Sequence, residues 1–382
     1  MLLSRFGAFS LYSALKIMKF LSAQTKRKLW NYFYNLLCTL VPQTSILLYR
    51  GSENDKFCNI SSIAAYLTSH KIRFSQLSYD TFNEQKIRSI YKIARAKVLV
   101  LDASSPAARL RISRNTFLIN CWHACGAYKK IAFDAKRKGC NEEVEEKRIA
   151  RVHSSISYLI CSSEYVADIY AKAFRMQKAR VLALGIPRTD ELVQQSACND
   201  HCQHAPYPFT LLFAPTFRTQ NDTRTLPSPP DAHALGTVLR ELGYNDYVLA
   251  YRAHPTCSCT ETNGWEDWSD LPLLDAMQRT SVLITDYSSI FFDFLFFKRP
   301  IIFYVPDLEI YQNTERELYF SPQSAFPEST CTDLNSLQRV LRSVCTHTST
   351  KQEFFKKYMN SCDGHSTERV CKLILSLMKD AK

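Results

Sequence analysis

Two histidines stand at the ends of strand-like apolar runs, where a group that titrates near neutral pH has chemistry available to it. His123 directly follows the apolar run 116–122, and His254 ends the run 247–254. An imidazole in a cleft can accept a proton from a substrate hydroxyl, because it changes protonation near neutral pH. A histidine that only hydrogen-bonds within a loop is the alternative, and position alone leaves both interpretations open.

Cationic side chains stand near the same strand ends. Lys129 and Lys130 come about one helical turn after the first histidine, behind a turn of small residues. Arg252 lies two residues before the second histidine and shares its side of the strand, and Arg218 follows the run 210–216. Because such side chains bind phosphate oxygens, the strand ends predict an anionic ligand.

The segment 281–307 carries the most specific pattern. A buried strand is followed by a turn containing Asp286, Ser288 and Ser289, and then by a short apolar helix with Asp293 one turn inside it. Serine hydroxyls and unpaired backbone N–H groups at a helix start suit a diphosphate. Helix capping by the same serine and aspartate residues is the alternative interpretation.

Alternating strand and helix patterns must position these residues. The predicted strands are 45–49, 97–102, 116–122, 157–163, 180–185, 210–216, 247–254, 281–286 and 300–306. Helical patterns lie between them, which predicts α/β architecture with two doubly wound, Rossmann-like halves. In such sheets ligands bind at the carboxyl ends of the strands, so the cleft between the halves is the predicted site.

The chain divides into four predicted parts. Residues 1–44 form a basic amphipathic arm, 45–195 the first domain, 196–208 a polar linker ending in prolines, and 209–382 the second domain. In the arm, basic residues interleave with aromatic and aliphatic ones, a pattern typical of helices in the membrane interface. An ordinary helix that packs on its own domain has the same pattern, and both interpretations stay open.

Composition limits the partners and the compartment. The 382 residues hold 48 Lys and Arg against 36 Asp and Glu, a net charge of +12, which favours phosphorylated molecules or anionic lipid surfaces. The chain has neither RNA-binding aromatic motifs nor a DNA-reading module, so no nucleic acid is expected. Several of the 14 cysteines, such as Cys121 and Cys161, lie inside apolar runs, which indicates free thiols and a reduced, cytoplasmic setting.

A metal site has weak support. Cys198, His201, Cys202 and His204 are all metal-ligand types, but they fall within seven residues. Structural zinc sites draw ligand pairs from two separated segments, so a polar linker is the preferred interpretation. We expect no protein-bound metal or other cofactor, although Mg²⁺ can accompany a diphosphate donor.

Five motifs occur in the order found in the CDP-glycerol glycerophosphotransferases of teichoic acid and capsule synthesis, a family that this chain resembles. They are WHACGAYKK (122–130), GIPRTD (185–190), PTFR (215–218), RAHP (252–255) and TDYSSIFFD (285–293). The resemblance covers about residues 97 to 320. It departs from the family at Ala124, where many members have glycine, and at the segment 316–319.

The resemblance implies a GT-B arrangement with CDP-glycerol in the cleft and His123 and His254 as the catalytic pair. It implies that Arg188, Arg218 and the Ser288–Asp293 turn bind the donor. The reaction implied is transfer of glycerol phosphate to a hydroxyl of a membrane-linked glycan or polyol-phosphate acceptor, with release of CMP. The enzyme would be peripheral on the inner face of the cell membrane. A CDP-ribitol-dependent transferase and a GT-B glycosyltransferase using a nucleotide sugar are the alternatives.

Overall fold

A computed structural model describes residues 22–51, 57–84, 86–102, 110–135, 141–199, 207–220, 223–253, 257, 262–346 and 351–380. Two six-stranded sheets, each with all strands parallel, confirm the predicted α/β fold. The strands are buried along almost their whole length, because helices cover both faces of each sheet.

The first sheet has the strand order β2-β1-β3-β4-β5-β6. Its strands are β1 (Ser45–Arg50), β2 (Ser75–Ser78), β3 (Ala96–Leu101), β4 (Phe117–Asn120), β5 (Tyr158–Ile160) and β6 (Val181–Leu182). The polar edge strand β2 was not predicted, since SQLS lacks the apolar run by which the other strands were found.

The second sheet has the order β11-β10-β7-β12-β13-β14, and a separate hairpin joins β8 to β9. The strands are β7 (Phe209–Ala214), β8 (Arg218–Gln220), β9 (Thr223–Thr225), β10 (Tyr247–Tyr251), β11 (Glu266–Asp267), β12 (Val282–Thr285), β13 (Ile301–Tyr304) and β14 (Thr330–Cys331). Numbered from its own first strand, this is the doubly wound order 3-2-1-4-5-6. The strand order reverses between β7 and β12, which is where ligands bind in such sheets.

Helices connect the strands and flank the sheets. They are α1 (Ala23–Leu40), α2 (Asn59–Ser69), α3 (Tyr79–Glu84), α4 (Lys86–Ala94), α5 (Glu142–His153), α6 (Glu164–Ala173), α7 (Thr189–Asn199), α8 (Ala232–Glu241), α9 (Leu273–Arg279), α10 (Ile290–Phe294), α11 (Leu308–Thr314), α12 (Pro322–Ala325), α13 (Leu334–Thr346), α14 (Gln352–Met359) and α15 (Ser366–Lys379). Ser163 caps α6, because its hydroxyl accepts from the Val166 N–H at 3.1 Å.

The last helix returns to the first half of the molecule. Val370 and Ile374 of α15 pack in the core on one face of the first sheet. The Asp190 carboxylate accepts from the N–H groups of Ser366 and Thr367, at 3.0 and 2.7 Å, and so caps this helix. Although α15 lies within the predicted second domain 209–382, it packs on the first sheet, and the domain boundaries remain our proposal.

The amino-terminal helix packs on the first half of the molecule and also keeps an exposed apolar face. Trp30, Phe33 and Leu37 of α1 pack against the core of the first half, and the Tyr34 hydroxyl is buried there and accepts from the Ser113 N–H at 2.8 Å. A second face of the same helix leaves apolar side chains exposed. Among the described residues, no helix combines the length and hydropathy needed to cross a bilayer.

Candidate active site

Charged residues converge where the strand order of the second sheet reverses, between β7 and β12. Arg218 lies just after β7, and its guanidinium forms two hydrogen bonds to Asp307, at 2.7 and 3.1 Å. The same guanidinium lies 2.9 Å from the buried carboxylate of Asp286, which directly follows β12. Asp286 also accepts from the Thr216 N–H at 2.8 Å, tying the ends of β7 and β12 together. These contacts fix one cation with its planar face against Tyr287 and Tyr311.

His123 is held by a left-handed turn after β4. Trp122 has φ 54°, and its carbonyl accepts from the Asn59 side-chain amide at 2.7 Å. The indole contacts the His123 ring, with 4.7 Å between ring centroids, and also packs edge-on against Phe174. These contacts fix the turn and, with it, the orientation of the imidazole ring.

The His123 side chain is exposed to solvent, although protein atoms lie on several sides of it. These surroundings and the cations Arg188, Arg316 and Lys129 lower the pKa of His123 to about 4. The imidazole is therefore neutral near pH 7, and a neutral imidazole is the form that accepts a proton.

Lys129 lies near His123, at the contact between the two halves of the molecule, which we call the seam. Its ammonium lies 3.4 Å from the Thr216 hydroxyl and 5.6 Å from the Tyr311 ring centroid. Burial lowers the pKa of Lys129 to about 8, although the nearby Asp286 carboxylate opposes the shift. The neighbouring Lys130 points elsewhere and pairs with Glu317 on the protein surface.

The seam is built from backbone contacts between the halves. The Lys130 N–H donates to the Glu317 carbonyl and the Tyr319 N–H to the Tyr128 carbonyl, each at 2.8 Å. Beside them, Gly126 has φ +61°, and a Cβ at this position would overlap the Phe292 ring. Only glycine lets the two halves approach this closely.

Ser288 and Ser289 lie half-exposed at the start of α10. The Ser288 hydroxyl accepts weakly from the Ile290 N–H at 3.4 Å, and Ser289 makes no side-chain cap. The Ser289 hydroxyl has no hydrogen-bond partner within the described part of the chain. Helix capping therefore engages the hydroxyl groups of these two serines only weakly. Their role in ligand binding stays a prediction.

Three other predicted site residues make protein contacts. Arg188 and Asp293 are both buried and form an ion pair across the two halves at 2.9 Å. Arg252 donates to the Trp268 carbonyl at 2.7 Å and so supports the loop after β11. Their donor-binding roles remain predictions.

His254 lies outside the described residues, as do His201, Cys202 and His204 of the weak zinc pattern. No group of three or more potential metal ligands occurs among the residues that are described. Two residues that were not predicted also belong to the candidate active site. Asp307, at the start of α11, orients Arg218, and Arg316 adds positive charge near His123. Asp307 was open to prediction by the same strand-end rule that selected Asp286.

Comparison with known proteins decides the family. The sequence profile of the CDP-glycerol:poly(glycerophosphate) glycerophosphotransferases matches residues 55–376. The chain belongs to this family. It is therefore a CDP-glycerol glycerophosphotransferase-like enzyme, in a family of transferases that use nucleotide-diphosphate donors.

Curated relatives align with this chain over most of their length. A teichoic acid ribitol-phosphate primase of Bacillus spizizenii is 33% identical over 76% of this chain and 77% of its own. A teichoic acid glycerol-phosphate primase of Bacillus subtilis is 28% identical over the same shares. The wall teichoic acid polymerase TagF superposes with a TM-score of 0.75 at 21% identity, covering 97% of both chains. That likeness confirms the GT-B-type fold.

Proposed function

We propose that the enzyme transfers glycerol phosphate from CDP-glycerol to a hydroxyl group of a membrane-linked glycan or polyol-phosphate acceptor and releases CMP. One observation carries the proposal. His123, which is neutral near pH 7, lies near the cations Lys129 and Arg316, and Arg218 lies near Lys129. A base next to a phosphate-binding cluster is what in-line phosphoryl transfer needs, because positioning and charge stabilisation supply most of the catalysis.

In the proposed reaction, the acceptor hydroxyl attacks the β-phosphorus of the donor. His123 takes the hydroxyl proton, the bond from the β-phosphorus to the bridging oxygen breaks, and CMP leaves with that oxygen. Lys129 and Arg218 stabilise negative charge on the phosphates, and Ser288 and Ser289 bind phosphate or glycerol oxygens.

His254 and the remaining donor-side residues complete the proposal. We assign His254, from the family motif, to charge stabilisation and to protonation of the leaving group. The buried Asp286 serves by orienting Arg218, and Mg²⁺ is a candidate companion of the diphosphate. The Lys130 and Arg252 contacts support a positioning role for these two residues.

Ribitol phosphate is a second candidate for the transferred group. The relative with 33% identity is a ribitol-phosphate primase, whereas the glycerol-phosphate primases are 28% and 26% identical. Turnover with CDP-glycerol and with CDP-ribitol, followed by product mass, decides between them. A kcat/KM value more than ten times higher with one donor identifies that donor as the substrate. If the enzyme turns over neither donor, the proposal is refuted.

We further propose that the enzyme works in teichoic-acid-like or capsule synthesis, bound peripherally to the inner face of the membrane. The supporting feature is the basic arm that precedes and includes α1. Replacing its basic residues with glutamine should release the protein from anionic vesicles while turnover of a soluble acceptor survives, since each contributes about 1 kcal/mol near an anionic surface. The residues are Lys16, Lys19, Lys26, Arg27 and Lys28. Unchanged vesicle binding at low and high salt would contradict this role.

A further inference from the structure

A cavity lies at the amino-terminal edge of the first sheet, away from the active site. Its volume is about 760 Å³. Thr44 and Ser45 line it where β1 begins, Ser75 where β2 begins, and Arg95 just before β3. The active-site residues follow the carboxyl ends of the strands, so β1, at about 3.3 Å per residue, separates the two sites by roughly 17 Å.

Much of the cavity lining is apolar. Phe33 and Leu37 of α1 line it together with Phe74, Ile87 and Tyr91. A cavity of this size is in the range that holds a drug-sized ligand, which is about 300–1,000 Å³. The apolar lining would bury hydrocarbon, which a simple inorganic anion does not have.

Four cations surround the apolar lining: Arg73, Arg88, Lys92 and Arg95. Lys92 donates to the Gln76 carbonyl at 3.1 Å, and Arg95 lies 5.9 Å from the Tyr91 ring centroid. Within the described ranges, no carboxylate forms an ion pair with any of the four. Unneutralised positive charge of this density favours an anionic ligand, and arginine suits phosphate because it donates two parallel hydrogen bonds.

The outer face of α1 continues the apolar surface into solvent. Leu29, Tyr32, Leu36 and Leu40 follow each other at helical spacing on one face, and Tyr32 and Leu40 are 72% and 68% exposed. The same helix contributes Phe33 and Leu37 to the cavity wall. An exposed apolar stripe beside a cationic cavity suits the boundary between lipid headgroups and acyl chains.

We propose that this cavity binds an anionic phospholipid of the bilayer, with the phosphate on the arginines and the adjoining acyl carbons against Phe33 and Leu37. Residues 1–21 are the other available cover, but they include Arg5, Lys16 and Lys19 and no acidic residue. Because their charge has the same sign as that of the cavity, electrostatic repulsion disfavours residues 1–21 as the occupant. The inference concerns a defined lipid site and does not depend on which group the enzyme transfers.

The test measures binding of the full chain to phosphatidylglycerol vesicles and to monomeric dihexanoyl phosphatidylglycerol, without donor or acceptor. The cavity variant is Arg73→Gln, Arg88→Gln and Arg95→Gln. The matched control removes three exposed charges elsewhere, with Arg151→Gln, Lys172→Gln and Arg339→Gln. Thr44→Trp fills the cavity from its rim and keeps every charge. Far-UV circular dichroism and thermal unfolding establish that each variant is folded.

We expect the cavity variant to lose about tenfold or more in affinity for phosphatidylglycerol vesicles, and the control less than about twofold. Thr44→Trp should lose about tenfold or more for the short-chain lipid, because the site is filled. Equal losses in cavity variant and control would overturn the proposal in favour of diffuse charge. So would unchanged short-chain lipid binding by Thr44→Trp, inorganic phosphate binding as tightly as the short-chain lipid, or equal binding to phosphatidylcholine vesicles.

Discussion

The pH profile of the enzyme should be set by Lys129 and His123. Lys129, with a pKa of about 8, must be protonated to hold phosphate, whereas His123, with a pKa of about 4, must be deprotonated to accept a proton. We therefore expect kcat/KM to rise through pH 4, stay level to pH 8, and then fall by about tenfold for each further unit. Because kcat/KM reports the free enzyme, the negative charge of a bound donor does not shift these two pKa values.

Lys129→Arg tests the alkaline side of this profile. An arginine keeps its charge at every pH used, so the fall above pH 8 should disappear. Lys129→Met should lower kcat/KM at pH 7 by about 10- to 150-fold, the equivalent of a lost hydrogen bond to a charged group of about 1.5–3 kcal/mol. The assay is initial-rate CMP release from pH 4 to 10 at constant ionic strength.

Lys130→Arg is the matched control, because Lys130 points at Glu317 and not into the cleft. We expect it to leave the alkaline limb in place. Persistence of that limb in Lys129→Arg, or its loss in Lys130→Arg, would refute the assignment. An acidic limb near pH 6.5 would show that His123 does not have the lowered pKa on which its role depends.

Three further variants probe the donor site and the seam. Ser288→Ala combined with Ser289→Ala should weaken CDP-glycerol binding in calorimetry, with each lost hydrogen bond to a charged group costing about 1.5–3 kcal/mol. Gly126→Ala should lower the free energy of unfolding by at least about 1–2 kcal/mol, because a Cβ is strained at positive φ and overlaps the facing ring. Arg188→Met should destabilise by about 3–5 kcal/mol by leaving Asp293 buried without its ion pair, and adding Asp293→Leu should restore most of that loss.

Each of these outcomes can fail in a recognisable way. An unchanged donor dissociation constant would mean that the serines only begin the helix. Wild-type unfolding of Gly126→Ala would show that the halves separate easily at the seam. If Arg188→Met and the double variant unfold alike, the ion pair is not the source of the destabilisation.

The strand ends could be predicted from sequence because each buried strand is a short apolar run. Asp286 and His123 were found this way, since a polar residue after such a run lies at the carboxyl edge of the sheet. The edge strands β2 and β11 were missed because they are short and polar. Sequence also shows no pairing between distant residues, so the Arg188–Asp293 ion pair and the return of α15 to the first sheet emerged only from the structure.

The identity of the released nucleotide tests the central claim most directly. The enzyme is incubated with CDP-glycerol and a lipid-linked acceptor, and nucleotide and product are separated and weighed by mass spectrometry. We expect one CMP for each glycerol phosphate added, and a rate loss of about 10²–10⁴ in His123→Ala with donor affinity retained. Release of a nucleoside diphosphate, or more than a tenth of wild-type kcat in His123→Ala, would contradict the account.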